Sequence, residues 1–440
     1  MSRQVSLIFD SDSQYFACRN LVAHFLNAGW DLQFVIEGEF EPQPTGNLAK
    51  IPVIRVETVG EIWKIPSVCR STAIGAYLPG SKMRQVWLGA EECYRRSGIR
   101  PILFTGYNGV VLQRFEDGMG WRAGYDLIAL NSPEDQQKTK VFASQSTLQR
   151  PTLMPIIGIN RTDKPSTLTT DFSATWEKTR TMVFAEQVLF PRGPKEKYSL
   201  YSHLIRIALA NPDWKVVVKP RTLPDSFTFH HQSDHISKFI QRNFILPPNM
   251  SVRYEPLDEV LKETTVLLSI SSTAFFDAVG TGVPSFTLSD FGISSSYGTH
   301  FFHGSGCTIC LADIGRLSHD LFKSRPTPEW LELKGFSPKF SPANIVTGLE
   351  QLIASGSNKA PLIPFESEQR LLADPAELPA ENIVTPTLWA RLTGPRAGLV
   401  RHPPANLRKT LARIRRRVVG AVSGAAGKGD VGAAGSTGKS

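Results

Sequence analysis

Residues 266–292, VLLSISSTAFFDAVGTGVPSFTLSDFG, read as strand, turn, helix, strand and turn. Residues 265–270 form a short apolar, β-branched run, long enough for a buried parallel strand. Ser271, Ser272 and Thr273 stand at its carboxyl end, and each is able to cap the helix expected over 274–281. Gly282-Val-Pro then closes the helix and opens a strand over 285–288. Open parallel sheets bind ligands beyond the carboxyl ends of their strands. A helix start with free N–H groups and hydroxyls in that place suits a phosphate. The plainer reading, a simple helix cap, stands beside it.

Working upstream, the alternation repeats. Residues 181–185 read as a strand followed by Glu186-Gln187, and 195–210 as a helix. Residues 214–218 are a strand running into Lys219-Pro-Arg221. A helix to about residue 243, a strand at 250–254 and a short helix at 257–263 complete the series. Arg192, Lys219 and Arg221 gather at the strand ends of this half. Beside Ser271, Ser272 and Thr273 they would form a phosphate cradle. Taken singly, a lysine after a strand is usually a solvated charge.

The amino-terminal half opens the same way. Residues 5–9 read as a strand, 10–14 as the loop beyond it, 15–28 as a helix stopped by Gly29, and 31–36 as a second strand. Further strands are expected at 51–56, 100–105 and 127–130, with a helix at 82–97. Phe115-Glu-Asp-Gly-Met-Gly-Trp-Arg122 reads as a mobile loop whose acids suit a general base or an ordinary turn. Asp10 and Asp12 sit where a first strand delivers residues to a cleft, and equally where turns and caps use aspartate. No G-x-G-x-x-G follows the first strand, so a dinucleotide fingerprint is absent. Strands alternating with helices through two successive halves predict an α/β protein. Two Rossmann-like domains, at 1–165 and 179–356, would face a cleft, joined by the polar stretch 160–178 and followed by a low-complexity tail at 357–440.

The 440 residues suffice for two or three domains, and a hydrophobic content of 41% fits ordinary globular ones. No run approaches the roughly 20 apolar residues of a membrane-spanning helix. MSRQVSLIFDSDSQ turns polar too early for a secretory leader. Five irregularly spaced cysteines point to a reducing compartment, the cytoplasm, and not to a disulfide framework. Cys307 and Cys310 form one C-x-x-C with no second pair. His230, His231, His235, His300 and His303 match no zinc spacing, so neither a metal nor a cofactor is expected. The net charge is +9, but residues 401–440 hold nine of the basic residues and one aspartate. The first 400 residues carry 40 basic and 39 acidic groups, which argues against specific nucleic-acid binding by the folded body. In NLRKTLARIRRRVVGAV (406–422), Leu407, Leu411, Ile414 and Val418 recur at helical spacing against basic residues. That suits peripheral contact with anionic lipid at the inner face of the plasma membrane, and a solvated tail is the alternative.

Phe184-Ala-Glu-Gln187, Pro191-Arg-Gly193, Val216-Val-Val-Lys219, Ser271-Ser-Thr-Ala274, Asp290-Phe-Gly292 and Gly304-Ser-Gly306 occur in this order, after Asp10-Ser-Asp-Ser13 and Arg122-Ala-Gly-Tyr-Asp126. Over about residues 1–350 the set resembles a family of bacterial glycosyltransferases known mainly by their fold. It is similar, more distantly, to two-lobed (GT-B) transferases that use CMP-activated acidic sugars. Those carry an acidic motif that ends in glycine and holds the base, a His-Pro motif, and a Ser-Ser/Thr motif on the nucleotide phosphate. Glu116-Asp117-Gly118 matches the first and Ser271-Ser-Thr273 the third. Lys219-Pro220 stands where His-Pro is expected, a departure that bears on the CMP-sugar assignment. Capsule-type transferases also carry Glu-Asp-Gly, which keeps Kdo-like donors open.

The resemblance implies a metal-independent glycosyltransferase that moves a sugar from a nucleotide-sugar donor to a cell-surface glycan or glycolipid. Ser271, Ser272, Thr273, Lys219, Arg221, Arg192 and Gln187 would hold the donor's nucleotide and phosphate, helped by the helix dipole that starts at Ala274. Asp117, with Glu116 beside it, is the first base candidate and Asp12 the second. Asp10, Ser13 and Arg122 fall on the acceptor side of the cleft. A nucleotide-sugar epimerase, a CDP-polyol phosphotransferase and a non-catalytic scaffold share the fold and stay open.

Overall fold

Two six-stranded parallel sheets carry the chain in the computed structural model, which describes residues 3–42, 46–112, 115–145, 152–159, 176, 179–224 and 235–362. The expected basic helix at 406–422, most of the 160–178 stretch, His230 and His231 lie outside the described residues.

The first sheet holds β1 (Arg3–Phe9), β2 (Trp30–Glu37), β3 (Val53–Val56), β4 (Ala73–Ala76), β5 (Ile102–Thr105) and β6 (Leu127–Ile128), in the order β3-β2-β1-β4-β5-β6. Its helices are α1 (Asp12–Asn27), α2 (Pro66–Cys69), α3 (Gly80–Ser97), α4 (Phe115–Gly120) and α5 (Pro133–Gln145). The second sheet holds β7 (Thr181–Ala185), β8 (Lys215–Lys219), β9 (Met250–Val252), β10 (Val266–Ser269), β11 (Ser285–Leu288) and β12 (Thr308–Ile309), in the order β12-β11-β10-β7-β8-β9. With it run α6 (Pro194–Ala210), α7 (Ile236–Asn243), α8 (Leu257–Leu261), α9 (Ala274–Gly280) and α10 (Pro328–Leu333), and α11 (Ala343–Ala354) follows.

Both sheets follow one plan. Each half starts in the middle of its sheet, winds outward over three strands, then crosses to the other side of its first strand. The crossings lie between β1 and β4 and between β7 and β10. At such a reversal the flanking connections diverge to opposite faces and leave a crevice beyond the strand ends. Helices cover both faces, so β7 and β10 are buried throughout, β1 is buried from Val5 on, and all three read as largely apolar runs. β4 escapes that signal. Its sequence, AIGA, is weakly strand-like, and packing selects it: a Cβ on Gly75 would stand 2.4 Å from Phe104 Cζ and 2.8 Å from Leu7 Cδ2.

Two sequence expectations change. Residues 115–122 were expected as a mobile loop, yet 115–120 form the short helix α4. Phe115 and Met119, one turn apart, are buried in the first core, which overrides the two glycines. The chain also returns to the first lobe at Ala343, short of the expected boundary at 356. Ile345, Val346 and Leu349 of α11 are buried in the core of the first sheet, each contributing about 1.5–3 kcal/mol. Arg100 fastens the chain beyond α11. Its guanidinium pairs with both oxygens of Asp126 (2.6 and 2.8 Å), and its Nε donates to the Ala360 carbonyl at 2.9 Å.

The loops beyond the first sheet's strand ends reach the second lobe. Leu112, past β5, packs against Gly298, past β11. Asn131 and Ser132, past β6, meet Gly335 at the end of α10. Lys334 is buried there over the Phe301 ring (4.5 Å), and its ammonium reaches Glu134 of α5 at 2.7 Å. Among the described residues, no helix is long and apolar enough to cross a membrane.

Candidate active site

The second-lobe crossing is built by the stretch that opened the sequence reading. Ser269 stands opposite Ala185 in register, so Glu186-Gln187 and Ile270-Ser271 leave the sheet side by side. Gln187 bridges them: its Oε1 accepts the Ser271 N–H at 2.8 Å and its Nε2 donates to Ser271 Oγ at 3.3 Å. Ser271 is buried by that bridge, while Ser272 and Thr273 stay partly open. Ser272 Oγ accepts the Ala274 N–H at 3.2 Å, so Ser272 is the hydroxyl that caps α9. With seven residues, α9 supplies little dipole, and an anion here depends on side chains and loop N–H groups.

On the other side of β7, Lys219 ends β8. Its ammonium donates to its own neighbour's carbonyl, Pro220 O, at 2.6 Å. Burial lowers its pKa, against the pull of Glu255 and Glu186. Between Lys219 and the Gln187–Ser271 bridge sits Glu186, 5% exposed. Its N–H donates to the Lys219 carbonyl (3.0 Å), and its Oε2 accepts the Arg221 N–H at 3.4 Å. Burial pushes the Glu186 carboxyl up to about 7, although the Arg221 N–H and the cations Lys197, Arg221 and Lys219 pull the other way. Sequence reading did not single out Glu186. The available signal was its place one residue past a buried strand.

This carboxyl predicts a stability signature. Its folded pKa lies above the ordinary 4.5, so its contribution is complete below 4.5 and disappears as pH rises through about 7. Unfolding by urea at pH 5 and pH 8 should show Glu186→Gln gaining on the wild type at the higher pH, by on the order of 3 kcal/mol. Parallel curves would contradict the buried carboxyl.

Arg221 is exposed at the same turn. Arg192 is exposed too, but it is engaged. Its guanidinium lies 5.2 Å from the Phe190 and Tyr297 ring centres, and Nη2 donates to the Ser296 carbonyl at 2.5 Å. It therefore braces the loop that follows Asp290-Phe-Gly292.

At the first-lobe crossing, Asp10 follows β1 and accepts from Lys82 of α3 at 2.6 Å, and the same ammonium lies 2.5 Å from Glu37 at the end of β2. Burial works against the Lys82 charge, but the bonds to Asp10 and Glu37 outweigh it and raise its pKa. Lys82 opens the expected helix at 82–97 and Glu37 follows the expected strand at 31–36, but their meeting at Asp10 was not legible. Asp12 opens α1, is exposed, and accepts the Ser13 N–H at 2.7 Å. Glu116 and Asp117 occupy the first turn of α4, Glu116 exposed and Asp117 partly buried. Arg122 holds that helix down. Its Nη1 donates to the Gly118 carbonyl (2.7 Å), its Nε to Gly106 O (3.0 Å), and its guanidinium lies 4.2 Å from the Tyr107 ring centre.

The remaining candidates have local partners. His235 caps α7, with Nδ1 2.7 Å from Ser237 Oγ and Nε2 2.9 Å from Thr222 O. Burial pushes the Cys307 thiol up to about 12 and raises Cys310 too, so neither is a ready nucleophile. Among the described residues, no group of three or more His, Cys, Asp or Glu side chains could hold a metal ion.

Residues 7–352 match the model of a family described as "Putative glycosyltransferase (DUF6716)". The chain belongs to that family. It is a glycosyltransferase built on two parallel sheets, as the resemblance implied. No curated protein matches the sequence. Among solved structures, Acinetobacter baumannii MurG is similar at 8% identity and a TM-score of 0.44, over 80% of this chain and 100% of that one. A "putative UDP-N-acetylglucosamine 2-epimerase" from Listeria monocytogenes reaches 12% and 0.47, over 83% and 100%. Anabaena HepE, in complex with UDP and glucose, reaches 11% and 0.43, over 81% and 99%. At these values no substrate is carried over to the DUF6716 member.

Proposed function

We propose that this glycosyltransferase holds a nucleotide-sugar donor by its phosphate in the β7/β10 crevice and passes the sugar to a hydroxyl of a cell-surface glycan or glycolipid. The observation that supports this most is the Gln187–Ser271 bridge at a topological crossing, flanked by the Lys219 ammonium. Three cations, Lys197, Lys219 and Arg221, act on Glu186 there, and Glu255 acts on Lys219, which leaves a small excess of positive charge for an anion.

In the proposed reaction the acceptor O–H gives its proton to the Asp117 carboxylate as its oxygen bonds the anomeric carbon. The bond from that carbon to the phosphate oxygen breaks, and its electron pair leaves with the phosphate. Lys219, Ser272 and Thr273 meet that charge. Asp117 is preferred to Asp12 because it is partly buried on a helix that Arg122 holds in place, whereas Asp12 is exposed and accepts the Ser13 N–H. Asp117→Asn is expected to lower turnover by about a thousandfold with nucleotide affinity unchanged, and Asp12→Asn by less than about tenfold. Full turnover in Asp117→Asn would remove the base assignment. Contact of residues 406–422 with anionic lipid is proposed on sequence alone. Phosphatidylserine vesicles should sediment the full chain and not a 1–400 truncation, and equal sedimentation would end that proposal.

A further inference from the structure

Glu186 is an anion in the wrong place for a phosphate site. Its carboxyl is almost fully buried at the crossing, one residue from the Gln187–Ser271 bridge, and its own N–H donates to the Lys219 carbonyl at 3.0 Å. Among the described residues, β8 and α6 contribute groups that sense its charge. From the end of β8 come Lys219 and Arg221, and from α6 Lys197 and the buried Tyr201 hydroxyl. Glu255, past β9, acts on Lys219 from the outside. From the end of β10 comes the uncharged Ser271, bridged to Gln187.

We propose that Glu186 takes up a proton when the donor's phosphate enters, and so sets which protonation state of the enzyme binds donor. This rests on the donor-phosphate reading of the crevice. A phosphate held by Lys219, Ser272 and Thr273 brings one or two negative charges beside a carboxylate that burial already disfavours. The cations that had stabilised the carboxylate turn to the phosphate. Protonating Glu186 removes the repulsion, and the neutral carboxyl still accepts the Arg221 N–H through its carbonyl oxygen. Its surroundings suit it to this role, because the free carboxyl titrates at about 7 and adding its proton costs little near neutral pH.

The consequence is a donor affinity that falls as pH rises. With Glu186 ionised in the free enzyme and protonated in the complex, affinity drops by up to about tenfold per pH unit above 7. Glu186→Gln copies the protonated shape and keeps an acceptor for the Arg221 N–H, so the turn that carries Lys219 is preserved. A role confined to fastening that turn would leave proton counts and pH dependence alike in both proteins.

The test is calorimetric titration of the full chain with CMP, CDP, UDP and GDP at pH 6.5 and 8.5, in buffers of low and high ionisation enthalpy. At pH 8.5 the nucleotide's own phosphate is already ionised, so proton uptake belongs to the protein. The wild type should take up part of a proton per nucleotide and bind at least tenfold more weakly at pH 8.5 than at 6.5. Glu186→Gln should take up none and bind within about twofold at the two pH values. Wild-type binding with no buffer dependence overturns this proposal alone and needs no variant. Binding of no nucleotide at either pH overturns the donor reading and this proposal with it.

Discussion

Gly335→Ala is expected to lower stability by about 3–5 kcal/mol. Gly335 does two things at once. It ends α10 in the left-handed region (φ +85°), where its N–H donates to Glu332 O and the Phe336 N–H to Leu331 O. It also lies against the other lobe: a Cβ would stand 2.0 Å from the Asn131 carbonyl oxygen and 2.9 Å from its carbon. The backbone cost of a left-handed alanine is about 1–2 kcal/mol. The remainder comes from pushing apart a junction that also carries the Gly335 carbonyl's bond from the Ile159 N–H (3.0 Å) and the buried Lys334–Glu134 pair. Gly356 is the internal control. It has a similar φ of +72°, but nothing lies within 4 Å of its Cβ position. Gly356→Ala should therefore cost only the backbone part. Thermal unfolding of both variants measures the difference, and equal losses would mean that Gly335 does not lock the lobes together.

Lys219→Ala is expected to weaken nucleotide binding by about ten- to a hundredfold while leaving the melting temperature unchanged or slightly raised. A charge-assisted bond to a phosphate is worth about 1.5–3 kcal/mol. Among the described residues the ammonium bonds Pro220 O, and it sits where burial disfavours its charge, so its removal takes little from the fold. Lys215, exposed at the opposite end of the same strand, supplies the control: Lys215→Ala should leave affinity intact. Equal, small effects of the two would place the phosphate elsewhere.

How much of this was legible in the sequence depends on what each residue does. Strands buried on both faces announced themselves, and Thr181–Ala185 and Ser285–Leu288 match their predicted bounds. Ser271, Ser272, Gln187 and Lys219 were within reach because the crossing rule ties chemistry to strand ends. Ala73–Ala76 was not, because its glycine answers to Phe104, 29 positions on in sequence from Gly75. The helix that Lys82 opens was read, but its place beside Asp10 and Glu37 was hidden with that strand. Glu186 looked like any acid after a strand. Its character comes from burial beneath α6 and β8, which no local pattern reports. Nor does local sequence show that α11 turns back to the first sheet. Its apolar face fits either core, and the chain's return is fixed by Ile345, Val346 and Leu349 together with Arg100.

The most direct test of the account is hydrogen–deuterium exchange of the full chain with and without each of CMP, CDP, UDP and GDP. Binding to the native state slows exchange where the ligand holds the backbone. The account predicts that at least one of the four protects amides at 186–188, 219–222 and 270–275, with no comparable change at the first-lobe crossing around Asp10 and Lys82. Protection centred on the first lobe, or no protection by any of the four, would contradict it.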